Sequence, residues 1–67
     1  MTKKEALAKW AGIYLEVVKN VYCPARAVEF GIADMMNQTK SLSEVDAALV
    51  INDDADWMAE KLAKQPA

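Results

Sequence analysis

The chain has 67 residues, 54% of them apolar, with a formal net charge of −2, no histidine and one cysteine, Cys23. A domain this short buries only about 60% of the surface its unfolded form exposes, so its own core is thin while its apolar share is above the roughly 45–50% of an average soluble domain. A single cysteine excludes an intrachain disulfide and a multi-cysteine zinc site, and the lack of histidine removes Ser-His and Cys-His nucleophile pairs.

The first predicted helix covers about residues 3–21. Thr2 and Glu5 have the spacing of a capping box, in which the Thr side chain takes the amide of Glu5 and the Glu carboxylate reaches back to the amide of Thr2. Leu7, Trp10, Tyr14, Val17 and Val21 follow in steps of three and four, the spacing of helices that pair along their length, and they form the candidate self-association seam. Ile13, Leu15 and Val18 flank this seam, while Lys9, Gly12, Glu16, Lys19 and Asn20 gather on the remaining strip. The residues before Pro24 supply the stop signal, because a residue preceding proline is pushed out of helical geometry.

Pro24 suits the first position of a second helix, about residues 24–38, since its missing amide would be unpaired there anyway. Val28, Ile32, Met35 and Met36 form its stripe, and Phe30 faces away from them. Glycine costs about 0.5–1 kcal/mol relative to alanine inside a helix, so Gly31 near Ala27 predicts the close approach of another backbone.

The polar stretch 37–40 reads as a connection, and Ser41 with Glu44 has the spacing of a second capping box. A third helix is expected over about residues 42–64, either continuous or broken near Asn52, with Pro66 ending the segment. Val45, Leu49, Ile51, Ala55, Met58 and Leu62 only partly share a face. If the helix is continuous, Val50 and Trp57 lie on the side that also holds Asp46, Asp53 and Glu60; if it breaks, Trp57 can turn inward. Alternating apolar patterns of the strand type are absent, so the expected fold is all-α, a small bundle of three helices in one domain, residues 1–67, paired as a dimer.

Cellular location follows from similar reasoning. The start is charged, no apolar run reaches signal-peptide length before Lys9, and nothing approaches the roughly 20 apolar residues of a membrane span, so a cytoplasmic chain is expected.

The chemistry-bearing residues fare poorly as catalysts. Cys23 has only Arg26 nearby in sequence to favour a thiolate and reads as a small, partly buried thiol at a helix start. Asp56 and Glu60 share a helical turn, yet nothing predicts a pocket that would separate their pKa values. The acidic set Asp53, Asp54, Asp56 and Glu60 lacks the glycine turn and alternating ligands of an EF-hand, and Gly12 and Gly31 are too few for a phosphate loop. No enzyme activity, cofactor or metal is therefore expected.

Residues 41–67 carry six acidic and two basic side chains, against four and six in residues 1–40. A helix-turn-helix outline exists, but its second helix would open on Glu44 and Asp46, which repel phosphates, and Arg26 is the sole arginine. Lys3, Lys4 and Lys9 beside Trp10 offer only a weak footprint for nucleic acid or an anionic membrane.

The surplus of aromatic and apolar side chains is the positive signal. The expected function is a non-enzymatic protein-binding module, acting as a homodimer, that modulates or inhibits another protein, in the manner of compact regulators encoded by phages and plasmids. Its candidate partner-binding residues are Phe30, Val50, Asp53, Asp56, Trp57 and Glu60, which suit a basic protein surface. The alternatives are a small dimeric DNA-binding transcriptional regulator and a non-catalytic subunit of a larger assembly.

Overall fold

A computed structural model describes residues 1–65, which form three helices: α1 (Lys3–Val18), α2 (Pro24–Thr39) and α3 (Glu44–Ala63). The all-α expectation holds. No helix of the described residues is long and apolar enough to cross a membrane.

Connections spanning 19–23 and 40–43 reverse the chain twice, as short links between neighbouring helices do, so α1 and α3 run parallel. Contacts between them climb both helices together. The Lys3 amide donates to Glu44 Oε1 at 2.9 Å, Lys9 Nζ donates to Asn52 Oδ1 at 2.7 Å, and the same ammonium pairs with Asp56 Oδ1 at 2.8 Å. α1 packs most extensively on α3, less on α2, while α2 and α3 barely touch.

Burial is shared unequally. α1 contributes Ala6, Trp10 and Val18, α3 contributes Ala47, Ala48, Ile51, Ala55 and Met58, and α2 only Met35 and Thr39. Small residues at the α1–α3 contact let the two axes approach closely. Leu7, Ala11, Ile13, Tyr14 and Ile32 pack around this centre in half-buried positions. The buried Thr39 hydroxyl is satisfied by donating to the Met35 carbonyl one turn back, at 2.7 Å.

Trp10 is the largest side chain in the core and is only 4% exposed. Its indole Nε1 donates to Asp54 Oδ2 at 2.6 Å, so the one polar atom of the ring is paired with α3. Tyr14 stacks on it, with ring centroids 4.6 Å apart and planes 20° from parallel. On the α2 side, a Cβ added at Gly31 would lie 2.7 Å from both Trp10 Cη2 and Tyr14 Cε2. Gly31 therefore does mark a close approach, but what approaches is a pair of aromatic rings, where the sequence suggested a second backbone.

The helix boundaries correct several expectations. α1 ends at Val18 and not near Val21: Val21 donates its amide to the Val18 carbonyl at 3.1 Å, a turn that closes the helix ahead of Pro24. The Thr2–Glu5 capping box is present in both its bonds, 2.8 and 3.1 Å. The second box is not formed by Ser41. Ser43 caps α3 by accepting from the Asp46 amide at 3.1 Å, and Glu44, one residue inside the helix, turns its carboxylate to the Lys3 amide. With Ser43 as the cap, Glu44 stands at the first helical position and not the third, so its carboxylate is free to take an unpaired amide at the start of α1. Pro24 begins α2, and α3 runs unbroken through Asn52, Asp53 and Asp54. The stop expected at Pro66 lies outside the described residues.

Two substitutions probe the Gly31 notch. Gly31→Ala is expected to lower stability by about 1–3 kcal/mol, because the Trp10 ring is pinned by Asp54 and cannot swing away. Gly12→Ala, at an exposed position where an added Cβ meets nothing within 4 Å, should instead raise stability by about 0.5–1 kcal/mol. Thermal melts of both variants check this, and an unchanged melting temperature for Gly31→Ala would contradict the notch.

The cap supplies a second test. Hydrogen bonds from the Thr2 amide and hydroxyl, with a smaller contribution from the terminal ammonium, hold the Glu5 carboxyl below the usual glutamate range. A depressed carboxylate stabilises the fold above its unfolded pKa and loses that contribution as the pH falls through the folded one. Glu5→Gln should melt slightly below the parent at neutral pH, and the two curves should draw together as the pH falls from the ordinary glutamate range through the lowered folded value.

Candidate functional site

Continuity of α3 decides which side chains face outward. Its inner side is occupied by Ala47, Ala48, Ile51, Ala55 and Met58, so positions half a turn away are left to solvent. Val50 is 42% and Trp57 58% exposed. They lie seven residues apart, two turns of helix, with the exposed carboxylates of Asp46, Asp53 and Glu60 alongside. Lys61 leans over the Trp57 ring with its ammonium 5.4 Å from the centroid, and Lys64 pairs with Glu60 at 3.1 Å.

The candidate partner-binding residues do not all meet. Val50, Asp53, Trp57 and Glu60 share the outer side of α3. Asp56 points the other way, toward α1, where it pairs with Lys9 beside Asn52. Phe30 is 70% exposed on α2, on the side opposite Met35 and Thr39, and stands alone among polar neighbours such as Arg26 and Asn37. Asp54 was not singled out by the sequence as an anchor, although a buried tryptophan N–H always requires an acceptor. That requirement is the only signal that could have found it.

The self-association seam is also divided. Trp10 is committed to the protomer's own core, and Leu7 and Tyr14 are half-buried against it. Val17 and Val21 remain 47% exposed each, while Val18 takes the buried place one position on. Leu15 and Tyr22 add further exposed apolar surface at this end of α1. A second exposed strip, Val45 and Leu49 of α3, forms a shallow groove with Met1. Cys23 is exposed at the start of α2 and makes no side-chain cap bond, where a partly buried thiol was expected.

Of the four central acids of α3, Asp53 faces solvent and the other three are turned to separate partners. Asp54 is turned to the Trp10 ring, Asp56 to Lys9 and Glu60 to Lys64, each with its own donor. Their chemistry is that of pairing and solvation.

No family model, characterised protein or solved structure matches this chain. The surface itself must carry the functional reading.

Exposure separates the two tryptophans energetically. Trp10→Ala should cost about 3–5 kcal/mol and leave Asp54 without its donor. Trp57→Ala should cost about 1 kcal/mol or less, since it loses one exposed contact with Lys61. Denaturant titrations of both variants test the assignment, and a Trp57→Ala loss comparable to that of Trp10→Ala would place Trp57 in the core.

Proposed function

We propose that this protein is a non-enzymatic protein-binding module that pairs with a second copy of itself and modulates a partner protein. The observation that carries the reading is the set of large apolar side chains left outside, among them Val17, Val21, Tyr22, Phe30, Val50 and Trp57. A monomeric protein of 7.4 kDa is expected to expose about 4,200 Å², and this chain exposes 4857 Å².

Two sets of these exposed apolar side chains differ in character. Around Val17 and Val21 they are accompanied by Leu15 and Tyr22, and the charges among them, Glu16 and Lys19, pair with each other at 3.4 Å, which suits a self-complementary contact between identical surfaces. Along α3, Val50 and Trp57 stand among carboxylates, which suits a different molecule. Trp is among the residues that dominate interface energetics, and a half-exposed one costs little to keep in the free protein and gains much when covered. The acids on the same side oppose duplex nucleic acid, whose phosphates they would repel. A cytoplasmic location accords with this reading.

Charge placed at the first group tests the pairing. Val17→Lys with Val21→Lys should halve the mass measured by light scattering while leaving the circular dichroism of the helices intact, because both positions are exposed within the protomer. A double variant with unchanged mass, or a parent that is monomeric at all concentrations, removes the homodimer. Crosslinking in the native host, followed by mass spectrometry, should give a partner that is retained by the parent and lost with Trp57→Ala.

A further inference from the structure

Asp46, Val50, Asp53, Trp57 and Glu60 follow one another on α3 in steps of four, three, four and three, and all five are exposed. That is a heptad stripe, the spacing by which one helix lies along another, drawn on the outer side of a helix whose inner side is already packed. Acids hold one heptad position, at 46, 53 and 60, and the apolar residues Val50 and Trp57 hold the other. Successive acids are about 10.5 Å apart along the axis.

We infer that this stripe is the seat of a helix from another protein, an amphipathic segment whose lysine or arginine residues recur every seven positions between small or aliphatic ones. The inference rests on the protein-binding reading above and supplies the chemistry of its partner. Charge selects the occupant. In a parallel pairing of two copies, equivalent positions meet, so Asp53 would face Asp53 and Trp57 would face Trp57. An antiparallel pairing brings the acid positions against Val50 and Trp57 and buries carboxylates with no counter-ion, which costs several kcal/mol per group. Pairing of this stripe with the same stripe of a second copy is therefore excluded in either direction. A basic helix satisfies every position: its cations meet Asp46 and Asp53, which have no ion pair among the described residues, and displace Lys64 from Glu60. Its aliphatic residues cover Val50 and the ring of Trp57 once Lys61 moves aside. Period selects the shape of the occupant, since an extended strand presents its side chains every second residue and cannot stay in step with positions 3.5 apart.

The test uses the full chain and two synthetic three-heptad peptides, one with Lys at the positions facing the acids and Leu or Ala facing Val50 and Trp57, the other identical but with Glu in place of Lys. Fluorescence anisotropy of the labelled peptides at low salt should show the Lys peptide bound at least tenfold more tightly than the Glu peptide, weakening as salt is added. Asp53→Lys with Glu60→Lys should reverse that preference. Glu29→Lys with Asp34→Lys, which changes the net charge equally on exposed positions of α2, should leave it in place. Trp57→Ala should lose at least tenfold with helicity unchanged. Equal binding of the two peptides, binding of neither, or a preference that Glu29→Lys with Asp34→Lys reverses as well overturns the stripe. If the peptides fail while the crosslinked partner is still lost with Trp57→Ala, the helical occupant is wrong and the protein-binding function stands; if that dependence fails too, both fall.

Discussion

The tertiary structure depends on how one tryptophan is held. Trp10 sits on the central helix, and its ring touches both of the others: the glycine notch of α2 at one edge and the Asp54 carboxylate of α3 at the nitrogen. A ring of this size is the largest single contribution to a thin core, and the N–H gives it direction. Because α2 and α3 barely touch, their relative placement is transmitted through α1, and chiefly through this side chain and the Tyr14 ring stacked on it. Losing the hydrogen bond would leave a carboxylate facing an apolar ring, so the polar and apolar halves of the arrangement support one another.

Much of this architecture is legible in the sequence. Three helices follow from Thr2 and Glu5, from Pro24 and from the periodic apolar residues, since each of those signals acts within one or two turns. The errors are of a different kind. Ser41 and Glu44 have capping-box spacing, but Ser43 and Asp46 have it too and win: Ser43 caps the helix, which leaves Glu44 at its first position, free to take the Lys3 amide 41 residues away. Val21 extends the seam on paper, yet the turn before Pro24 takes it out of the helix. Gly31 announces a close approach without saying whether backbone or ring makes it. The outer side of α3 becomes readable only when the helix is known to be continuous, because a break at Asn52 would rotate Trp57 relative to Val50 and dissolve the stripe.

The surface left by this folding is divided by charge. One end of α1 keeps Leu15, Val17, Val21 and Tyr22 exposed beside a mutually neutralised Glu16–Lys19 pair, and the outer side of α3 keeps an aromatic ridge bordered by acids. In the proposed function the two regions serve self-pairing and partner recognition separately, without competition for the same residues. The acids also guard the ridge: they keep Trp57 soluble in the free protein and repel copies of the same chain from it.

α2 has a second meaning beside its modest share of the core. It is 16 residues long, the same as α1, so the chain climbs one helix and descends the other by equal distances before α3 begins. That equality is what sets Glu44 level with Lys3, Lys9 level with Asn52 and Asp56, and Trp10 level with Asp54. α2 thus works as a ruler. Its length, more than its packing, selects the register in which the parallel pair α1 and α3 meets, and a whole turn added to it or removed would slide every one of those pairs about 5.4 Å out of step.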